Sequence, residues 1–231
     1  RPQTVHDRKR SLYIRRATCA EIRMAELHVA CALTHCTWDH AAYGFDSGVE
    51  FPPHNITSPS IGNRLELLVP FKGYCPDYSD IAKEYLERRY SCADSGFRGV
   101  FPSWDNTPRR SIRGTVILNG TPENYEYWLS EAIRKTAEDF PGEERPVFIN
   151  AWNEWAEGCH LEPDRRYGHR FLEATLRAKD GSALAGWTHK GIPAECLADV
   201  DSAQQRIIYT RVKKSLPSRV WRGLKAKLRG K

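Results

Sequence analysis

Residues 146–163 read PVFINAWNEWAEGCHLEP, and this stretch is the basis for predicting both the fold and the site. Its apolar start, 147–149, follows a proline and predicts a short buried strand. The next thirteen residues hold three acids, two indoles and two carboxamides, groups that suit the hydroxyls and flat C–H faces of a sugar. We therefore predict a saccharide site at the end of this strand. Its ligand-binding residues would be Asn150, Trp152, Asn153, Trp155, His160 and Glu162.

Two glutamates of this stretch are the predicted catalytic residues. Glu154 and Glu157 are three positions apart, so a helical turn would direct both carboxyl groups to the same side. Close carboxyl groups separate each other's pKa values, so that one can act as an acid while the other stays charged. The alternative is a pair of solvated loop acids that cap the next helix. The flanking indoles and the apolar strand favour catalysis.

Two further predicted strands also end in residues that suit a sugar. Trp104, Asp105 and Asn106 supply an aromatic platform and two hydrogen-bonding groups, although such residues also form turns. Glu50 lies near the end of another predicted strand, ahead of His54, which is equally suited to capping the loop. Because parallel strands gather their functional groups at one edge, we predict Trp104, Asp105, Asn106 and Glu50 as further ligand-binding residues.

Two arginines follow the strand that ends at Trp104. Arg109 and Arg110 could hold a phosphate or a carboxylate through paired hydrogen bonds. A solvated basic turn is the commoner role for such a pair, and it is the role we predict.

Strands and helices alternate over residues 27–180. Strand patterns lie at 27–33, 43–54, 97–104 and 147–149, and helix patterns at 78–89, 121–138 and 167–178. Polar groups follow the strands, as in parallel β/α units. We therefore predict an α/β fold, specifically a partial (β/α)8 TIM-type barrel of about four C-terminal β/α units. Residues 1–26 would form an N-terminal segment that matches this pattern poorly, 27–180 the C-terminal half of the barrel, and 181–231 a linker and a basic amphipathic tail.

The basic residues concentrate in that tail. The chain has a formal charge of +6, yet residues 206–231 hold ten Lys or Arg and no acid, so the rest is mildly acidic. Residues 215–231 carry an amphipathic helical pattern that suits an anionic membrane surface. A disordered solubilising end, or non-specific nucleic-acid affinity, is the alternative. We predict a cytoplasmic protein, peripheral at the inner face of the membrane, with no specific nucleic-acid partner.

The cysteines and glycines indicate no cofactor. Seven scattered cysteines without a C-x-x-C pair fit neither a zinc site nor a disulfide framework, and favour a reducing compartment. Cys159 is predicted to be an inert thiol. The acids lack the spacings of metal sites, and no glycine-rich phosphate loop precedes a helix. We predict no metal and no cofactor.

Four strings carry a resemblance to a known family: GFDSGVEFPPH (44–54), GVFPSWDNTPRR (99–110), TPENYEYWL (121–129) and FINAWNEWAEGCHLEPDRRYGHRFLEA (148–174). They resemble the WbsX-type glycosyltransferases, which accompany polysaccharide and O-antigen genes in bacteria. That family is similar to the glycoside hydrolase family 99 endo-mannosidases, which are (β/α)8 barrels. The resemblance implies that Glu157 is the general acid/base and that Glu154 assists through the sugar's 2-hydroxyl.

The expected function is therefore glycosyl transfer in the biosynthesis of lipopolysaccharide, O-antigen or another surface polysaccharide. The substrate would be a saccharide or a lipid-linked glycan, and the N-terminal half of the barrel would be a missing partner. Two alternatives stay open: a retaining endo-glycosidase similar to the family 99 endo-mannosidases, and a non-catalytic, truncated glycan-binding remnant.

Overall fold

The computed structural model describes residues 27–34, 39–65, 70–88, 96–142 and 145–181. The predicted N-terminal segment, 1–26, and residues 182–231 of the predicted linker and tail lie outside these residues. The strands are β1 (Ala30–Leu33), β2 (Ser47–Glu50), β3 (Gly96–Phe97), β4 (Gly99–Val100), β5 (Trp104–Asp105), β6 (Val116–Ile117), β7 (Phe148–Ile149), β8 (Asn153–Glu154) and β9 (Cys159–His160). The helices are α1 (Tyr78–Glu87), α2 (Thr107–Arg110), α3 (Pro122–Asp139) and α4 (Arg170–Asp180), with 3-10 turns at Ala41–Tyr43, Gly62–Arg64, Ser111–Arg113 and Trp155–Glu157.

The parallel strands lie side by side in chain order. β1 pairs with β2, β2 with β3, and β4 with β7, all parallel. Since Arg98 alone separates β3 from β4, this segment lies between β2 and β7. The α/β class is therefore confirmed. The described strands form no closed barrel, and the partial barrel stays a prediction.

Two strand predictions need correction. The predicted strand 97–104 breaks after Val100, and Trp104 belongs instead to the antiparallel pair β5–β6. Pro102 lies in the break and has no N–H to offer a ladder. The strand at 147–149 was expected to be buried, but Phe148 is 42% exposed, because β7 pairs only with β4 among the described strands.

The long helices form where the sequence predicts them. Asp77 caps α1 by accepting the backbone N–H of Ser79 at 2.8 Å, and Thr121 caps α3, which starts with Pro122. Helix α4 starts at Arg170, three residues later than predicted. No helix of the described ranges has the length and apolar character to cross a membrane.

Trp128 of α3 lies at the centre of the core. Its ring makes edge contacts with Tyr78 and Tyr85 of α1 and with Phe101 after β4, at centroid distances of 5.3–5.6 Å. All four rings are buried. The core therefore ties two helices to the end of β4, directly behind the loop that carries Trp104.

We expect Trp128→Ala to lower the free energy of unfolding by about 3–5 kcal/mol, because a large aromatic core residue leaves a cavity. Leu176→Ala is the control, since Leu176 is 57% exposed on α4 and should change stability by less than about 0.5 kcal/mol. Urea unfolding followed by circular dichroism measures both. Equal midpoints for the two variants would contradict this packing.

Candidate functional site

The site is built on a hairpin that follows β7. Strands β8 and β9 pair antiparallel, with Glu154 opposite Cys159, and the 3-10 turn Trp155–Glu157 connects them. Gly158 ends this turn with a left-handed φ of 59°, a conformation that glycine adopts without steric cost. The hydroxyl of Ser103 donates to the Gly158 carbonyl at 2.6 Å. The hairpin is thereby fixed to the loop ahead of β5.

Glu154 and Glu157 form a carboxyl pair at this turn. Their carboxyl groups lie close enough to share a hydrogen bond when one of them is protonated. The side chain of Glu157 is only 5% exposed, whereas Glu154 is exposed. Burial raises the pKa of Glu157, the hydrogen bond and the charge of Glu154 raise it further, and the charge of Arg109 opposes them. The two acids therefore have different surroundings although they lie close together.

Arg109 is an exposed residue with a partner that the sequence interpretation did not predict. We predicted a solvated basic turn, but the Nη2 atom of Arg109 forms an ion pair with the Oε1 atom of Glu157. Helix α2 directs this contact, since it packs against the Trp155–Glu157 turn. A partner 48 residues away along the chain leaves no local sequence signal.

Three of the predicted ligand-binding residues form one network. The ring of Trp155 stacks on that of His160, with centroids 3.7 Å apart and an interplanar angle of 18°. The indole N–H of Trp155 donates to Glu162 at 2.5 Å, and Nε2 of His160 lies 3.1 Å from an oxygen of Asp164. Trp155 is still 48% exposed. Its ring is held in place while part of it stays open to a ligand.

A cavity of about 280 Å³ lies between this network and the β5 loop. It brings together four predicted residues from two strand ends, Trp104 and Asp105 from one and Trp155 and His160 from the other. Its further lining residues are Ser103, Val116, Gly120, Gly158, Asp164, Arg165, Arg166 and Tyr167. The carboxyl pair does not line it but adjoins it through Trp155 and Gly158.

Several predicted residues hold the framework together. The buried carboxylate of Glu50 accepts the backbone N–H of Gly99 at 3.0 Å and lies 3.5 Å from Arg88. The carboxamide of Asn150 donates to the Pro52 carbonyl at 2.8 Å, and that of Asn106 accepts the Thr115 N–H at 2.7 Å. Glu50 lines neither the 280 Å³ cavity nor the 180 Å³ cavity beyond Trp104.

The remaining predicted residues lie on the hairpin surface. Asn153 is exposed on β8, opposite His160, and the Trp152 side chain is 52% exposed. Cys159 points inward, where its thiol donates to the Asn150 carbonyl at 2.8 Å. Burial raises the pKa of Cys159 to about 12, so the thiol stays protonated and unreactive.

Comparisons with known proteins identify a family of glycosyltransferases. A family model described as "Glycosyltransferase WbsX" matches residues 1–175. An uncharacterized protein named WxcX, from two strains of Xanthomonas campestris pv. campestris, is 40% identical over 161 residues. The match covers 69% of this chain, which spans only 23% of the length of those relatives. No solved structure matches the chain.

The environment of Glu157 predicts a pH-dependent effect on stability. Its pKa is raised above the ordinary value of 4.5 in the folded state, so the folded state binds this proton more tightly than the unfolded state does. As pH rises from about 4.5 through the folded-state pKa, ionisation of Glu157 should reduce stability. Glu157→Gln cannot ionise, so we expect it to gain stability relative to the native protein across this window.

Urea unfolding between about pH 4 and pH 7 tests this expectation. The control is Glu138→Gln, because the Glu138 side chain is 59% exposed on α3. A stability difference between Glu157→Gln and the native protein that does not change with pH would contradict the expected titration.

Proposed function

Since the chain belongs to the WbsX glycosyltransferase family, we propose that it transfers a glycosyl group at the site formed by Glu154 and Glu157. The observation that carries the proposal is the close carboxyl pair, with one member buried against Arg109 and the other exposed. Such a pair provides a group that can take or give a proton beside a group that stays charged.

The contact between the two carboxyl groups constrains their roles. The two acids of inverting or retaining hydrolases flank the anomeric carbon at about 6.5–9.5 Å or 5–5.5 Å from each other. Glu154 and Glu157 are close enough to share a hydrogen bond, so they would act from one side of the sugar. This arrangement fits the roles implied by the resemblance. Glu157 would exchange the proton of the reacting oxygen, and Glu154 would assist through the neighbouring hydroxyl.

Aromatic surfaces would bind the sugar rings. Trp155 is fixed by His160 and Glu162, and Trp152 is exposed on the same hairpin. The adjoining cavity of about 280 Å³ suits a single sugar unit, with Trp104 as a second aromatic wall. We propose the exposed indoles as the binding sites for the apolar faces of a saccharide or a lipid-linked glycan.

We further propose a place in bacterial surface-polysaccharide biosynthesis, such as that of lipopolysaccharide or O-antigen. Four parallel strands in chain order are compatible with part of a (β/α)8 barrel, which further strands would complete. The basic tail, residues 206–231, would bring the site to an anionic membrane surface.

A retaining endo-glycosidase is the second candidate. The raised pKa of Glu157 favours it, because hydrolysis requires an acid that keeps its proton to protonate the leaving oxygen. Release of reducing ends from a mannan without a nucleotide-sugar donor would select hydrolysis. Product formation only with a donor would select transfer.

The test of catalysis is Glu157→Gln, assayed by mass spectrometry with panels of sugar donors and glycan acceptors. We expect the rate to fall by roughly 10²–10⁴-fold, the usual contribution of a general acid or base, with glycan binding retained. Glu138→Gln serves as the exposed control. If Glu157→Gln kept the native rate, the carboxyl pair would not be catalytic. If the native protein bound glycans without turnover, the non-catalytic glycan-binding remnant would be favoured.

Trp155→Ala should weaken glycan binding by roughly fivefold, because the sugar loses one aromatic contact. Calorimetry with the best acceptor from the panel measures this, and Leu176→Ala on α4 is the control. If Trp155→Ala bound the glycan with native affinity, this indole would not be part of the binding site.

A further inference from the structure

A basic surface adjoins the carboxyl pair. We call it the basic turn, and it consists of Lys72, Arg109, Arg110 and Arg113. The three arginines lie on α2 and the 3-10 turn after it, and the backbone N–H of Lys72 donates to the carbonyl of Ile112 at 2.8 Å. All four side chains are exposed, and residues 107–113 include no acid. Within the described ranges, only Arg109 of these four forms an ion pair.

The ion pair between Arg109 and Glu157 is asymmetric. The Arg109 side chain is 61% exposed, whereas that of Glu157 is 5% exposed. The contact is made by Nη2, one terminal nitrogen of the guanidinium. An arginine has five N–H donors in a planar fork, so Arg109 can hold a second anion while it stays close to Glu157.

We propose that Arg109 binds the phosphate group of an activated sugar donor and that this contact removes part of the counter-charge from Glu157. This inference rests on the proposed glycosyl transfer and assigns its donor class, a sugar whose anomeric oxygen is esterified to phosphate. Arg110, next to Arg109 on α2, would add a second cation. The arginine fork holds phosphate, like carboxylate, through paired hydrogen bonds.

Two neighbouring groups shift the pKa of Glu157. Glu154 on β8 raises it, and Arg109 on α2 lowers it. The thiol of Cys159 on β9 also lies near Glu157, but it stays neutral. A phosphate that shares Arg109 therefore leaves Glu157 under the influence of Glu154, and its affinity for a proton rises.

Because of this coupling, the basicity of Glu157 is higher while the donor phosphate is bound, when the transfer step needs a proton acceptor. The bond between the anomeric carbon and the phosphate oxygen breaks, and the phosphate leaves with the electron pair, bound to Arg109. The acceptor oxygen forms the new bond to the anomeric carbon. At a pH above the folded-state pKa of Glu157, where only part of this group is protonated when phosphate is bound, the hydroxyl proton passes to the ionised carboxylate, whose basicity the bound phosphate has increased.

Calorimetry with inorganic pyrophosphate on the full chain tests the binding site. Arg109→Met should bind pyrophosphate about tenfold or more weakly, since a hydrogen bond to a charged group is worth about 1.5–3 kcal/mol. Arg134→Met should bind like the native protein, because Arg134 pairs with Glu131 and Glu138 on α3. Glu157→Gln should bind more tightly, because it frees Arg109. Native affinity in Arg109→Met would overturn the proposal.

Proton uptake tests the coupling. Calorimetry in buffers of different ionisation enthalpy should show that the native protein takes up more protons on binding pyrophosphate than Glu157→Gln does. Equal proton uptake by the two proteins would overturn the proposal that a bound phosphate removes counter-charge from Glu157. Loss of turnover in Glu157→Gln is a separate result, so a failure of this inference and a failure of the proposed function are distinguishable.

Two further ligands distinguish the sources of the phosphate. Uridine diphosphate represents a nucleotide-activated donor, and a polyprenyl phosphate in detergent micelles represents a lipid-linked one. A loss of affinity in Arg109→Met for either ligand supports the phosphate site and identifies the donor class. If Arg109→Met bound both ligands as the native protein does, Arg109 would not contact the donor.

Discussion

The buried carboxyl group of Glu157 is the constraint on which the rest of the site depends. A carboxylate removed from water is costly unless it is paired, and Glu157 has two partners of opposite influence. Glu154 favours the protonated form and Arg109 the charged form. Both partners are exposed, whereas Glu157 is buried. The protonation of Glu157 is therefore open to change by whatever binds next to it.

The surrounding fold keeps these three groups together. The Trp155–Glu157 turn is closed by the left-handed Gly158, and Ser103 fixes that glycine to the loop ahead of β5. Helix α2 follows β5 directly and brings Arg109 to the same turn. Behind them, the rings around Trp128 hold α1, α3 and the end of β4 as one packed unit. The reactive pair thus lies on a short hairpin attached to a rigid core.

The sequence predicted the features that depend on local chemistry. Caps and prolines marked the helices at Tyr78 and Pro122, and the three-residue spacing of the glutamates predicted a turn. The sequence did not predict features that depend on contacts between distant residues. Pro102 signals a broken strand, but no local pattern shows that Trp104 then pairs with Ile117. Glu50 is an acid near the end of a strand, as expected of a ligand-binding residue. Its carboxylate instead accepts the backbone N–H of Gly99, because β2 and β4 are neighbours.

Glu157 binds its proton more tightly than an ordinary glutamate because its carboxyl group is buried and because Glu154 lies beside it. The most direct measurement is the titration of its carboxyl carbon by NMR, in the native protein and in Glu154→Ala. We predict a midpoint above 4.5 in the native protein and a lower midpoint once Glu154 is removed. A native midpoint at or below 4.5, or one that Glu154→Ala leaves unchanged, would contradict the account.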